Sequence, residues 1–311
     1  MIQLSPLQVI VFPGGFNWPL WTAQARGFFA REGLEITLTP TPNSVVQLTR
    51  LIAGDFDIAI TAIDNVIAYQ EGQGEVPVGA APDLFAFMGG DHGFLRLIVQ
   101  PEIRTYADLR GQALSVDAMT TGFAFVLRKM LELGGLQEGE YSLVRAGGVR
   151  ERWNALKEKR HAGTLLLTPF ELLAESSGLR RLGNAVDVIG PYQGHLGATR
   201  RSWARDHAAE LVGFIRAYRA SLAWLFDRAH RPEAVAILRR NAPDMPAEIA
   251  ERAYDVLLSP GQGFQPEAKL DVEGIRTVLR LRSEYGRPRK ELTDPARYYD
   301  LTYYDRASAK V

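Results

Sequence analysis

Strand-like and helix-like segments alternate through the first 190 residues of this 311-residue chain. The first unit predicts a strand at 8–12, a helix over 18–31 that Asn17 can cap, and a strand at 34–38. The second predicts a helix from the cap Ser44 to the stop Gly54, followed by a buried strand at 57–60. Repeated strand-helix-strand units bury their apolar faces in a mainly parallel sheet flanked by helices. The alternation therefore predicts an α/β protein.

Two glycine-rich breaks divide this pattern. One lies at 86–90 and the other at Gly190-Pro191, and the alternation restarts between them. The elements predicted for that middle block are strands at 94–99, 113–116, 141–145, 164–167 and 186–189 and helices over 121–133, 151–159 and 169–176. After residue 200 the chain is mostly helical, with Leu211, Ile215 and Leu222 on one helix face. We predict two lobes, lobe I from 1–90 plus 192–311 and lobe II, inserted into it, from 91–191.

Composition excludes several classes of protein. Lys plus Arg and Asp plus Glu number 36 each without a run of like charge, so the chain lacks the basic patch of a nucleic-acid binder. There is no cysteine, hence no disulfide, thiolate metal site or cysteine nucleophile. No stretch reaches the roughly 18–20 apolar residues of a membrane-spanning helix. The first twelve residues read as a strand rather than an export signal, so either the chain is cytoplasmic or a signal peptide lies outside this sequence.

Enzyme and cofactor motifs are also missing. The sequence has no phosphate-binding Gly-Lys-Ser/Thr loop, no dinucleotide fingerprint, no His-Glu-x-x-His and no Gly-x-Ser-x-Gly. The five histidines lie far apart, and Asp91-His92 is better explained as part of a hinge than as a catalytic dyad, since neighbours on a strand point apart. We expect no metal and no cofactor.

The loops that follow the predicted strands hold the candidate ligand-binding residues, because ligands of open α/β sheets lie beyond the carboxyl ends of the strands. Glycines there let a ligand approach the backbone, helix starts offer free amide donors, and aromatic side chains add apolar area. The candidates are Gly15, Phe16, Asn17, Trp18, Thr61, Asp64, Asn65, Asp117, Thr120, Thr121, Thr168, Phe170, Tyr192 and His195.

Several candidates also have a purely structural interpretation. Trp18 and Trp21 fit the core-facing edge of an amphipathic helix as well as a cleft wall. Asp64 fits a helix cap, which does not exclude a ligand contact. Thr168 and Glu171 have the spacing of a capping box.

Two segments resemble a known family. The stretch from Ala25 to Ile36 (ARGFFAREGLEI) and the stretch from Gly54 to Ala59 (GDFDIA) are similar to the nitrate/sulfonate/taurine and thiamine-pyrimidine group of ABC-transporter substrate-binding proteins. The order of the lobes agrees over nearly the whole chain. The resemblance implies a two-lobed periplasmic binding protein, usually a monomer, whose cleft closes on a small ligand and which delivers that ligand to a permease. By position it implies ligand contacts around 15–18, 61–65, 117–121 and 168–170.

The loops suggest the chemistry of the ligand. They carry few cations for nitrate or a sulfonate, whereas Asp64, Asp117 and Glu171 lie near the predicted cleft. We therefore expect a neutral, aromatic or amine-bearing organic molecule rather than a small inorganic anion.

Two enzymatic alternatives compete with solute binding. Relatives of the implied fold include cytosolic lyases and decarboxylases, in which Asp64, Asp117 or His195 would act as general acid or base. Pyrimidine synthesis of the thiamine branch depends on a cysteine-rich segment, which a chain without cysteine cannot have.

Overall fold

The computed structural model describes residues 4–79 and 82–309 and contains two five-stranded sheets. The first sheet has the order β2-β1-β3-β10-β4, and the second has the order β7-β6-β8-β5-β9. The strands of the first are β1 (Ser5–Val11), β2 (Leu34–Pro40), β3 (Ile58–Ala62), β4 (Leu84–Met88) and β10 (His195–Arg200). Those of the second are β5 (Arg96–Val99), β6 (Ala113–Val116), β7 (Ser142–Arg145), β8 (Gly163–Leu166) and β9 (Arg180–Asn184).

In each sheet, all strands but one run parallel to each other. β1 pairs in parallel with β2 and β3, and β6 pairs in parallel with β7 and β8. The exceptions, β10 and β5, are antiparallel to both of their neighbours. Each is the first strand after the chain crosses from one sheet to the other. The α/β fold with two mainly parallel sheets is thus confirmed.

Helices cover the faces of both sheets. They are α1 (Trp18–Ala25), α2 (Phe28–Arg31), α3 (Ser44–Ala53), α4 (Ile63–Gln70), α5 (Gly122–Leu133), α6 (Val149–Lys157), α7 (Phe170–Ser176), α8 (Ala185–Ile189), α9 (Arg201–Asp206), α10 (Ala208–Phe226), α11 (Arg231–Asn241), α12 (Ala247–Leu257), α13 (Val272–Tyr285) and α14 (Thr302–Ser308). We call the first sheet with the helices packed on it lobe I, and the second sheet with its helices lobe II. The lobe boundaries near residues 90 and 191 stay a prediction.

The apolar stripe predicted after residue 200 forms part of the core of lobe I. Leu211, Ile215 and Leu222 of α10 are fully buried, and α10 packs against α1, α2 and α14. The helix satisfies its own backbone hydrogen bonds, so its apolar stripe alone decides which side faces the sheet.

Some local predictions were wrong. The helix expected over 18–31 is two helices separated by Gly27, which has a φ of +68°. Asn43, not Ser44, caps α3, because its side chain accepts a hydrogen bond from the amide of Val46. The segment 186–189 is helix α8, although its β-branched residues favour a strand. The strand lies earlier, at 180–184, where polar edge residues carry no alternating apolar signal.

Trp18 generates the first testable prediction. Its side chain is fully buried, its indole Nε1 donates to the carbonyl of Ala234 over 3.0 Å, and its ring meets Tyr254 edge-on at 5.6 Å. We expect Trp18→Ala to lower the free energy of unfolding by about 3–5 kcal/mol, because it leaves a cavity. Trp21→Ala, which truncates a half-buried ring of the same helix, should cost only about 1–2 kcal/mol. Urea unfolding measures both, and equal losses would contradict a core position for Trp18.

Candidate ligand-binding cleft between the lobes

The loops at the carboxyl ends of four parallel strands meet between the two lobes. β1 leads to Phe12, β3 to Asp64, β6 to Asp117 and β8 to Leu167. His195 joins them from a different direction. It begins the antiparallel strand β10 and pairs with Ala62, so the amino end of β10 lies at the same sheet edge as the carboxyl end of β3.

These loops enclose a small cavity, which we call the inner cavity. Its volume is about 40 Å³, more than the roughly 10–15 Å³ that one water molecule needs. It is lined by Phe12, Phe16, Ala62, Asp64, Asn65, Asp117, Thr121, Gly122, Phe123, Gly148, Val149, Arg152, Leu167 and His195. Both lobes contribute to this lining, as a site that closes by movement of the lobes requires.

Aromatic rings form one wall of the inner cavity. Phe16 stacks on the imidazole of His195, with ring centroids 3.8 Å apart and planes 10° apart. Phe123 meets the same imidazole edge-on at 6.2 Å. The two phenylalanine rings therefore place apolar area around the imidazole at this wall.

Asp91 fixes the orientation of His195. The Oδ2 atom of Asp91 lies 2.9 Å from Nδ1 of His195, and both side chains are buried. Oδ1 of Asp91 accepts hydrogen bonds from the amides of Gly93 and His195. Because an ionised carboxylate can only accept, Nδ1 of His195 donates this hydrogen bond, and Nε2 lies on the opposite side of the ring. Among the described residues, Nε2 has no hydrogen-bonding partner.

Asp117 and Arg152 bring opposite charges to the inner cavity. Oδ2 of Asp117 accepts a 2.6 Å hydrogen bond from the hydroxyl of Ser44, whereas its buried Oδ1 has no partner among the described residues. Arg152 donates to the carbonyls of Gly147 and Leu165. Burial lowers the pKa of the Arg152 guanidinium, and the carboxylate of Asp117 acts in the opposite direction. A guanidinium stays protonated under these conditions, so Asp117 and Arg152 bring one charge of each sign to the lining.

Asp64 is neutralised within the protein. Nε and Nη2 of Arg282 donate to its two carboxylate oxygens over 2.6 and 2.9 Å, and both side chains are almost fully buried. Oδ2 also accepts a 2.6 Å hydrogen bond from the amide of Gly122, the first residue of α5. A side chain at Gly122 would collide with this carboxylate, so the close approach requires glycine. Arg282 further donates to Gln73 and to the carbonyl of Thr120.

Hydrogen bonds hold the two lobes together around the inner cavity. The amide of Gly15 donates to the carbonyl of Thr168 over 3.0 Å, and the amide of Gly148 donates to the carbonyl of Pro42 over 3.1 Å. The bonds from Ser44 to Asp117 and from Gly122 to Asp64 also join opposite lobes. These four hydrogen bonds join the lobes across the cleft.

A larger cavity, the outer cavity, adjoins this region and has a volume of about 660 Å³. Its lining includes Gly15, Trp21, Arg150, Trp153 and Phe170. The same three chain segments wall both cavities, near residues 12–17, 148–153 and 167–170. The bond between Gly15 and Thr168 lies in the partition between them.

The structure distributes the predicted site residues over three environments. Those that line the inner cavity are Phe16, Asp64, Asn65, Asp117, Thr121 and His195. Those that line the outer cavity are Gly15, Asn17 and Phe170. The remaining ones line neither cavity, and they are Trp18, Thr61, Thr120, Thr168 and Tyr192.

The residues outside both cavities have structural contacts instead. The hydroxyl of Thr61 accepts from Asn65, and that of Thr120 donates to Glu75. Tyr192 is buried, and its ring lies 6.5 Å from that of Phe123. Trp18 is a core residue, as described above.

Three capping predictions need correction. Asn17 occupies the N-cap position of α1, as predicted, but its side chain makes no capping bond, and its Nδ2 donates to the carbonyl of Phe12 instead. Asp64 is not the cap of α4, which is Ala62. The hydroxyl of Thr168 donates to the carboxylate of Glu171 rather than accepting from the backbone, and α7 begins after Pro169.

Glu171 does not act in the cleft, since it lines neither cavity. Burial raises its pKa, while the hydrogen bond from Thr168 and the charge of Arg96 act in the opposite direction. Glu171 was expected to lie near a ligand, but neither the inner nor the outer cavity is lined by it.

Sequence reasoning missed Arg152, Asp91 and Arg282. Arg152 had a usable signal, since it shares the buried face of α6 with Val149 and Leu156 at helical spacing, where an arginine is unexpected. Asp91 and Arg282 meet partners 104 and 218 residues away along the chain, so no local pattern reveals them.

Several solved structures share this architecture at low sequence identity. A protein of Bordetella bronchiseptica RB50 is 18% identical, with 99% of this chain and 98% of that chain covered and a TM-score of 0.81. The periplasmic nitrate-binding protein NrtA of Synechocystis PCC 6803 is 12% identical over 98% of this chain and 89% of that one, with a TM-score of 0.81. The alkanesulfonate-binding protein SsuA of Xanthomonas axonopodis pv. citri, bound to MOPS, is 15% identical over 99% of both chains, with a TM-score of 0.72. The fold is thus that of the periplasmic binding proteins.

The family follows from a sequence comparison. The family model described as NMT1/THI5 like matches residues 17–233, which is more than half of the chain. This protein belongs to that family. A search of curated protein sequences found no match.

Within residues 4–79 and 82–309, no helix is long and apolar enough to cross a membrane. The same residues contain no cluster of three or more histidine or acidic side chains that could hold a metal ion.

The buried pair of Asp64 and Arg282 generates the second prediction. We expect Arg282→Met to lower the free energy of unfolding by about 3–5 kcal/mol, because it leaves the Asp64 carboxylate buried without its cation. The double variant Asp64→Asn/Arg282→Met should recover part of this loss, since no charge then remains. Urea unfolding of the two variants measures the coupling.

Arg276→Met is the matched control for this experiment. Arg276 lies on the same helix with its side chain 46% exposed, and its loss should change stability by less than about 0.5 kcal/mol. A loss in Arg282→Met as small as that of the control, or a double variant less stable than Arg282→Met, would contradict the role of the pair.

Proposed function

We propose that this protein is a solute-binding protein that captures a small organic molecule in the cleft between the lobes, at the inner cavity. One observation carries the proposal. Asp117 lines this cavity together with residues of both lobes, and its buried Oδ1 has no partner among the described residues. Buried polar atoms of this kind need a hydrogen-bonding partner, and a ligand can provide it. Membership of the NMT1/THI5 like family and the binding-protein fold support the proposal.

The ligand class follows from the charges of the lining. Asp64 is neutralised by Arg282, and Asp117 faces Arg152, so the inner cavity has no surplus positive charge for an inorganic anion. We propose a neutral, aromatic or amine-bearing molecule. Its flat part would contact Phe16 and Phe123, a donor such as an amine would face Asp117, and an acceptor would face Arg152.

Binding would involve closure of the lobes. In the closed form the hydrogen bonds between Gly15 and Thr168 and between Gly148 and Pro42 shut the cavity, so a ligand must enter while they are broken. A ligand that contacts both lobes stabilises the closed form over the open one. We further propose that the closed, loaded form docks on an ABC-transporter permease in the periplasm.

The third prediction concerns ligand capture. Native mass spectrometry of the protein incubated with a pool of amines, heteroaromatics, carboxylates and sulfonates should detect one compound bound and unchanged in mass. Asp117→Asn should weaken the binding of that compound about ten- to a hundredfold, because a hydrogen bond to a charged group contributes about 1.5–3 kcal/mol. The asparagine keeps an oxygen that can accept from Ser44.

Asp206→Asn is the control, since Asp206 is an exposed carboxylate outside both cavities. It should bind the compound as the parent protein does. Binding that Asp117→Asn leaves unchanged would place the ligand elsewhere, and selection of taurine or an alkanesulfonate from the pool would overturn the proposed ligand class.

The fourth prediction concerns closure. Small-angle X-ray scattering should show a smaller radius of gyration once the captured compound saturates the protein, since the open population disappears. Asp117→Asn at the same compound concentration should stay expanded. Identical scattering curves of the parent protein with and without the compound would argue against ligand-dependent closure.

A second candidate function is a lyase or decarboxylase reaction in the same cavity. The observation that favours it is the Asp91–His195 pair, in which the carboxylate holds the imidazole with Nε2 free to take a proton from a substrate. The incubation with the compound pool separates the two functions. A compound that disappears with time, with a product lighter by water or carbon dioxide, would indicate catalysis, whereas a compound recovered unchanged supports capture.

A further inference from the structure

The outer cavity has the features of a ligand site of its own. Its volume of about 660 Å³ is more than ten times that of the inner cavity. Lobe I contributes segments near residues 11–24, 38–40 and 241–245, and lobe II contributes segments near 150–157 and 169–173. An occupant would therefore contact both lobes.

The lobe II side of the outer cavity combines aromatic rings with cations. Trp153 is 7% exposed, and the ammonium of Lys157 lies 5.1 Å from its ring centroid. The guanidinium of Arg150 lies 5.8 Å from the ring centroid of Phe170. Two aromatic side chains with a cation over each present an apolar surface beside positive charge.

The charges of the outer cavity do not balance. Its lining contains the cations Arg150 and Lys157 but a single carboxylate, Asp244. Asp244 approaches Arg150 only to 3.5 Å, and its side chain is 85% exposed, so water screens the pair. Lys157 forms no salt bridge with any residue in 4–79 or 82–309. A negatively charged occupant would be attracted to this side.

The partition separates the outer cavity from the inner one. The bond from the Gly15 amide to the Thr168 carbonyl joins the lobes at this point. A Cβ atom at residue 15 would lie 2.8 Å from the same carbonyl, so the partition is tightly packed there. No residue that the structure describes lines both cavities.

We propose that the outer cavity is a second ligand site, specific for an aromatic carboxylate of one or two rings. The rings would pack against Trp153, Phe170 and the facing Trp21, and the carboxylate would pair with Lys157 and Arg150. The inner cavity favours neutral or donor-bearing molecules, whereas the outer cavity favours anions. The proposal does not depend on the inner cavity having a ligand.

Isothermal titration with 2-naphthoate and its uncharged isostere 2-naphthamide tests this proposal. We expect one 2-naphthoate per protein, bound more tightly than the amide. Lys157→Gln should weaken 2-naphthoate binding about three- to fivefold and leave the amide unaffected, because it removes one exposed charge. Trp153→Ala should weaken binding of both compounds more than about tenfold.

Arg306→Gln is the control variant, since it removes an exposed cation outside both cavities, and it should bind 2-naphthoate as the parent protein does. Lys157 is exposed, so its variant stays folded and remains informative even if Trp153→Ala does not fold. Absence of 2-naphthoate binding, equal affinity for the amide, or an unaffected Lys157→Gln variant would overturn the proposal.

Discussion

The ion pair between Asp64 and Arg282 is the interaction on which the cleft depends. Arg282 comes from α13, which packs against α4 of lobe I and α5 of lobe II, and Asp64 also receives the first amide of α5. A buried carboxylate is stable only when a cation and hydrogen bonds compensate it. The pair therefore holds α4, α5 and α13 together, and with them the two lobes.

The same pair defines what remains available for a ligand. Because Arg282 neutralises Asp64, the remaining charges of the inner-cavity lining are those of Asp117 and Arg152. These two charges are opposite in sign. The outer cavity differs, because its two cations face one exposed carboxylate. Two neighbouring cavities of one cleft thus have different electrostatic character, although the same three chain segments form their walls.

Much of the fold was predictable because hydrophobic periodicity acts locally. The strand at 113–116 was predicted with its observed limits, and the helices α5 and α10 lie where their apolar residues indicated. The loops after the parallel strands supplied five of the inner-cavity residues, among them Asp117 and Asn65. The strand β9 was missed because its charged edge residues carry no alternation, and Trp18 was ambiguous because a core and a cleft wall both favour an aromatic residue.

The sequence by itself determined the alternation of strands and helices, the lack of cysteine chemistry and the loops from which a site could form. Only the tertiary structure decided which side chains meet. His195 reaches Asp91 because β10 enters its sheet antiparallel, and Arg282 reaches Asp64 because α13 packs between the lobes. The physical reason is that periodicity and capping act over a few residues, whereas the compensation of a buried charge depends on groups that the whole chain brings together.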